Sequence, residues 1–174
     1  MPRNVEIKAK IDNFDNFIQR VTSLSGDNGS VLEQQDFFYN CATGRLKLRS
    51  CTENGVNRSQ LIFYTRPDSN GPKLSSFIVT PVQELKTMDD ILTSTMGRKG
   101  IVTKQRTLFM IGQTRVHVDK VERLGNYMEL EVMLRVDQSP EDGAKVANDL
   151  MRKLEISESQ LVVGAYMDLI NARE

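Results

Sequence analysis
The chain has 174 residues, enough for one domain with a substantial core and no staples. Lys plus Arg and Asp plus Glu each number 23, which argues against a general nucleic-acid binder, and no apolar run approaches the ~18 residues of a membrane span. Met1-Pro2-Arg3-Asn4 runs straight into the first strand without a signal-peptide pattern, so a cytoplasmic protein is expected. Cys41 and Cys51 are too few for a disulfide framework and read as reduced thiols.

Asn4 to Ile11 alternates strictly. Val5, Ile7, Ala9 and Ile11 are apolar, while Glu6, Lys8 and Lys10 are charged, as expected of a strand with one oily and one ionic face. Asp12 with Asp15 then predicts a helix start, and Phe14, Phe17, Ile18, Val21 and Leu24 recur at helical spacing until Gly26. Val31 to Tyr39 reads as a strand. Arg45-Leu46-Lys47-Leu48-Arg49 repeats the opening device, and Glu53-Asn54-Gly55 predicts a hairpin into Ser59 to Arg66. A loop through Pro67 to Pro72 leads to a strand over Lys73 to Thr80.

Thr87 with Asp90, then Met88, Ile91, Leu92 and Thr95, predicts a second helix closed by Gly97. Ile101 to Ile111 and Gln113 to Val121 make a strand pair around Gly112, and Tyr127 to Val136 is a further strand. Ser139-Pro140 with Asp142 opens a third helix, with Ala144, Ala147, Leu150, Met151 and Leu154 on its apolar stripe. A short helix can end the chain within Ser159 to Ala172. One α+β domain with about eight strands is the simplest organisation.

Nearly every strand carries an ionic face: Lys104 and Arg106 on one, Arg115, His117 and Asp119 on the next, Glu129 and Glu131 on a third. Three amphipathic helices need the apolar faces. The ionic faces are then either the wetted side of an open sheet or the bore of a closed barrel. Arg and Lys at close quarters suit a polyanion, and neighbouring carboxylates are hard oxygen ligands for Mg²⁺ or Mn²⁺. Structural ion pairing is the alternative use of the same residues. The aromatic residues Phe37, Phe38, Tyr39, Phe63 and Tyr64 are expected in the core rather than stacked on a ligand. His117 reads as a structural or substrate-orienting group, with acid/base work the alternative.

These residues resemble the CYTH superfamily, the triphosphate tunnel metalloenzymes, which include class IV adenylyl cyclases, thiamine triphosphatases and inorganic tripolyphosphatases. The family opens with Glu-Xaa-Glu-Xaa-Lys, matched here at Glu6, Lys8 and Lys10, with Lys8 standing where the second glutamate belongs. The likeness runs on through Leu46-Lys47-Leu48-Arg49, Tyr64-Thr65-Arg66-Pro67, Gly71-Pro72-Lys73, Lys104-Gln105-Arg106, Arg115 to Asp119 and Gly125 to Glu131.

The resemblance implies an eight-stranded antiparallel β-barrel with a charged interior and helices outside. It implies metal, Mg²⁺ or Mn²⁺, on Glu6, Asp119, Glu129 and Glu131. It places phosphates on Lys8, Lys10, Lys47, Arg49, Arg66, Lys73, Lys104, Arg106 and Arg115, with Lys10 or Lys8 activating water. The activity expected is hydrolysis of a small triphosphate, most simply inorganic tripolyphosphate, by a monomer or homodimer. The alternatives are a class IV adenylyl cyclase and a non-catalytic polyphosphate- or nucleotide-binding module.

Overall fold
The computed structural model describes residues 1–173. Its order is β1 (Arg3–Lys10), α1 (Phe14–Ser25), β2 (Ser30–Tyr39), β3 (Arg45–Glu53), β4 (Val56–Thr65), β5 (Lys73–Val82), α2 (Leu85–Met96), β6 (Arg98–Ile111), β7 (Thr114–Val121), β8 (Gly125–Met133), α3 (Pro140–Lys153) and α4 (Tyr166–Asn171). A 3₁₀ turn at Glu158–Gln160 precedes α4. The strands close into an antiparallel barrel in the order β1-β5-β4-β3-β2-β6-β7-β8, which settles the choice between open sheet and barrel.

Alternation explains the layering. Val5, Ile7, Ala9, Val116, Val118, Met128, Leu130 and Val132 point outward, where Phe17 and Val21 of α1 and Ala147, Leu150 and Met151 of α3 cover them. Burying an aliphatic side chain of this size contributes about 1.5–3 kcal/mol, so this belt is the main store of stability. Ser139 caps α3 as its sequence predicts, with Asp142 reciprocating at the N-cap backbone. The cap of α1 is Asn13, not Asp12: its Oδ1 accepts from the backbone of Asn16. The β3–β4 hairpin turns at Asn54-Gly55, both with positive φ, as that dipeptide predicts.

Two expectations need correction. The helix α2 buries none of its residues, and Ile91 is 52% exposed. Leu85, Met88 and Leu92 are half-buried, and polar contacts add to the attachment: Tyr39 Oη donates to Asp89 at 2.7 Å, and Arg98 pairs with the same carboxylate. The strand predicted to reach Val136 ends at Met133, and Val136 is wholly exposed.

The C-terminal segment closes one end of the barrel. Tyr166, Met167 and Ile170 pack with Phe38, Val102, Val121, Leu124 and Tyr127. The approach is close enough that a Cβ on Gly100 would meet the Sδ and Cε of Met167, so any larger residue there requires the end of that buried side chain to shift.

Candidate active site
The barrel encloses a cavity of about 810 Å³ with Tyr166 and Ala165 at its floor and the β3–β4 hairpin residues Glu53, Asn54, Val56 and Arg58 on its wall. Eight lysine and arginine side chains line it against five carboxylates. That excess of positive charge is internal, since the whole chain is balanced.

Of the bases expected at the site, Lys8, Lys47, Arg49, Arg66, Lys104, Arg106 and Arg115 all face the cavity. Lys10 does not. It is exposed, beyond the floor, where its carbonyl accepts from Gln160. Lys73 is buried opposite Glu6 but donates to the Ser69 carbonyl at 2.9 Å and is not among the lining side chains. Arg58 and Gln60 join the wall from β4.

The inward residues of β1 are therefore Asn4, Glu6 and Lys8. A Glu-Xaa-Glu-Xaa-Lys spacing that ends on a lysine inside the tunnel falls on Asn4-Val5-Glu6-Ile7-Lys8. The departure is then Asn4 in place of the first glutamate, and not Lys8 in place of the second. Asn4 Oδ1 is buried with no hydrogen-bond partner.

The acids divide by what holds them. Asp36, on β2, is 1% exposed and takes three bases: Arg49 at 2.7 and 2.8 Å, Lys104 at 2.9 Å and Lys47 at 3.3 Å. Burial alone would raise its pKa, but Arg49, Lys104 and Lys47 hold it well below the ordinary carboxylate range. Sequence reasoning missed Asp36. Its inward neighbours on β2 are Leu32, Gln34 and Phe38, so that face does not read as ionic. Asp119 is fully buried, with both oxygens on Arg106 at 2.8 Å and one also accepting from Tyr166 Oη at 2.6 Å. Its acceptors are committed to fastening the floor.

Glu6, Glu129 and Glu131 line the cavity. Glu6 accepts from Arg66 at 2.8 Å. Lys8 lies 3.4 Å from Glu129, 3.9 Å above the Tyr166 ring, and donates to the Gly164 carbonyl. Burial would raise the Glu129 pKa, yet Lys8 and Arg106 hold it well below the usual range. Among the described residues, Glu129, Glu131 and His117 form one group whose potential ligand atoms lie within 4.8 Å of one another. The Nδ1 of His117 is buried and unpartnered, so the group has an open nitrogen beside two carboxylates and can hold a cation.

Burial works against the buried ammonium groups. It lowers Lys8, brings Lys47 to about 8 with Arg49 adding to the effect, and brings Lys104 to about 7 despite the opposing pull of Asp36. Arg66 keeps Nε and Nη2 buried without a partner. Phe38 and Tyr64 are buried, as expected, but they also line the cavity, flanking the Lys47 ammonium at 5.7 and 5.4 Å.

Among the described residues, no helix is long and apolar enough to cross a membrane. PH1012 from Pyrococcus horikoshii OT3 matches with a TM-score of 0.82 at 21% identity, over 97% of this chain and 99% of its own. A candidate adenylate cyclase from Vibrio parahaemolyticus matches at 0.78 and 17% identity over 97% of each chain. HpAC1 from Hippeastrum, a candidate adenylyl cyclase that reveals a dominant triphosphatase activity, matches at 0.65 and 12% identity over 98% of this chain and 96% of its own. At these identities the likeness is one of fold. No curated protein matches the chain in sequence. The CYTH domain model matches residues 2–166, nearly the whole barrel with its floor, and the chain belongs to the CYTH domain family.

Proposed function
We propose that the tunnel binds and hydrolyses a linear triphosphate, with inorganic tripolyphosphate the favoured substrate and a divalent cation required. The observation that carries this reading is Arg66. Its Nε and Nη2 are buried donors with no acceptor, an arrangement that costs free energy unless an anion completes it. The planar guanidinium fork matches phosphate oxygens, and Lys47, Arg49, Lys104, Arg106 and Arg115 extend the same surface along the cavity.

The carboxylates Glu129 and Glu131, with Glu6 alongside, are the proposed cation ligands. Mg²⁺ or Mn²⁺ bound there would neutralise charge on the phosphoryl oxygens. The protein does the rest by positioning and electrostatics. Water adds to the terminal phosphorus, the bridging P–O bond breaks, and pyrophosphate leaves with the bond electrons. Lys8 is the proposed acceptor of the water proton. Its ammonium is already disfavoured by burial at the floor, while Lys10, outside the tunnel, is withdrawn from that role. Asp119 and Lys73 are proposed as supports: Asp119 fixes Arg106 and Tyr166, and Lys73 ties the Ser69 loop.

A second reading, conversion of ATP to cyclic AMP and pyrophosphate, is favoured by one feature. Ile62, Phe77 and Val79 give the β4–β5 wall an apolar strip that an organic group can occupy. Parallel incubations with tripolyphosphate, thiamine triphosphate and ATP, each with Mg²⁺ or Mn²⁺, decide between them. Orthophosphate from tripolyphosphate without cyclic nucleotide from ATP supports the hydrolase, and cyclic AMP with equimolar pyrophosphate supports the cyclase. Tight binding of all three without turnover would mean a binding module.

A further inference from the structure
We propose that His117 is a nitrogen ligand to the tunnel cation, so that this chain's metal centre is a mixed imidazole–carboxylate site suited to Mn²⁺, Co²⁺ or Zn²⁺ more than to Mg²⁺. The inference rests on the reading above in one respect only, that the tunnel holds a divalent cation.

His117 is 5% exposed and sits on β7 directly across from Glu129 on β8. Its Nδ1 is 3.8 Å from Glu129 Oε2 and 3.8 Å from Glu131 Oε1. Those distances are too long for hydrogen bonds, and Nδ1 is buried with no other partner. A buried imidazole nitrogen left open beside two carboxylates is the arrangement of a ligand awaiting its ion. The three donor atoms lie within 4.8 Å of one another, against the ~4.2 Å that two opposed ligands at ~2.1 Å span. Small side-chain rotations close the difference.

The rest of β1 explains why nitrogen is needed. Asn4 brings no charge to the position where a carboxylate would complete an all-oxygen set, and Glu6 is engaged by Arg66. Lys8 further offsets Glu129. With fewer free carboxylates, an oxygen-only site is poor for Mg²⁺, whereas imidazole adds most to the first-row transition ions. Free affinity for Mg²⁺ is therefore weak, and the imidazole sets the preference.

The chain has a single histidine, which makes the test unambiguous in tag-free protein. Mn²⁺ is titrated into the full chain, its binding is followed by loss of the free-ion signal, and the bound ion is examined by pulsed EPR for coupling to ¹⁴N. The proposal expects one bound Mn²⁺ carrying a directly coordinated imidazole nitrogen, and loss of that coupling in His117→Gln. It also expects affinity for Co²⁺ or Zn²⁺ to fall by at least ~10-fold in His117→Gln while Mg²⁺ affinity changes far less. Bound Mn²⁺ without nitrogen coupling in the wild-type chain overturns the inference and leaves a carboxylate metal site standing. No bound Mn²⁺, with or without tripolyphosphate, overturns both.

Discussion

The Lys104 ammonium lies 2.9 Å from Asp36 Oδ2, and each side chain is at most 2% exposed. One carboxylate thus answers for three bases, since Lys47 and Arg49 share it. Replacing Asp36 with Asn leaves three buried cations without a counter-charge, which costs about 3–5 kcal/mol by analogy with other broken buried pairs. Thermal unfolding of Asp36→Asn should show a clear loss of Tm, recovered in large part by tripolyphosphate, which returns negative charge to the same bases. A loss that tripolyphosphate does not relieve would mean the three bases do not form one anion site.

The same bases make binding pH-dependent. Lys104 titrates at about 7 and Lys47 at about 8 because burial disfavours their charged forms. A bound polyanion favours those forms, so binding takes up protons and affinity weakens as pH rises through 7 and 8. In the free protein the sign for folding is opposite. Between these values and the ordinary lysine pKa of ~10.4 the unfolded chain holds more protons, so these two groups make stability rise with pH from about 7 to about 10. Calorimetric titrations at pH 8 in buffers of different ionisation enthalpy measure the uptake directly, and Lys104→Met should reduce it.

Arg66 presents buried donors with no acceptor. Removing them in Arg66→Met should weaken tripolyphosphate binding by roughly 10- to 100-fold, the equivalent of one charge-assisted hydrogen bond at about 1.5–3 kcal/mol. The dissociation constant reports this; a value close to wild type would remove Arg66 from the phosphate site.

The floor depends on a close approach. Gly100→Ala places a Cβ against the end of the buried Met167 side chain and should cost about 1 kcal/mol as that side chain repacks and loosens α4. Limited proteolysis should then release the C-terminal segment sooner. An unchanged cleavage rate and Tm would show that α4 has room to spare.

Alternation made the ionic and apolar faces of the strands legible but left open sheet and closed barrel undecided, and the family resemblance supplied the closure. Every strand with bases on alternate positions turned them inward, and the capping box at Ser139 fell where its residues predict. Parity, though, gives the face of a strand and not the depth along it. Lys10 shares a face with Lys8 yet lies beyond the floor, because the segment that makes the floor arrives from Tyr166, 47 residues away from the Asp119 that anchors it. That closure has no local signal. Asp36 was hidden by the apolar residues that share its face, and the apolar stripe of α2 (Leu85, Met88 and Leu92) is only half-buried, so periodicity found the helix but not how loosely it sits.

Asn4 offers a direct check on the register of the β1 motif. Asn4→Glu returns a carboxylate to the cavity wall and should raise Mg²⁺ affinity several-fold, as added ligand charge does at oxygen sites. Unchanged affinity would place residue 4 outside the metal centre.

The most direct measurement is the product of tripolyphosphate incubated with the purified chain, with Mg²⁺ or Mn²⁺ and with chelator. Equimolar orthophosphate and pyrophosphate should form only with metal, and Glu131→Gln, folded by circular dichroism, should lose more than ~100-fold in rate. Tripolyphosphate recovered intact under every condition, with no shift in the protein's Tm, would contradict a triphosphate tunnel outright.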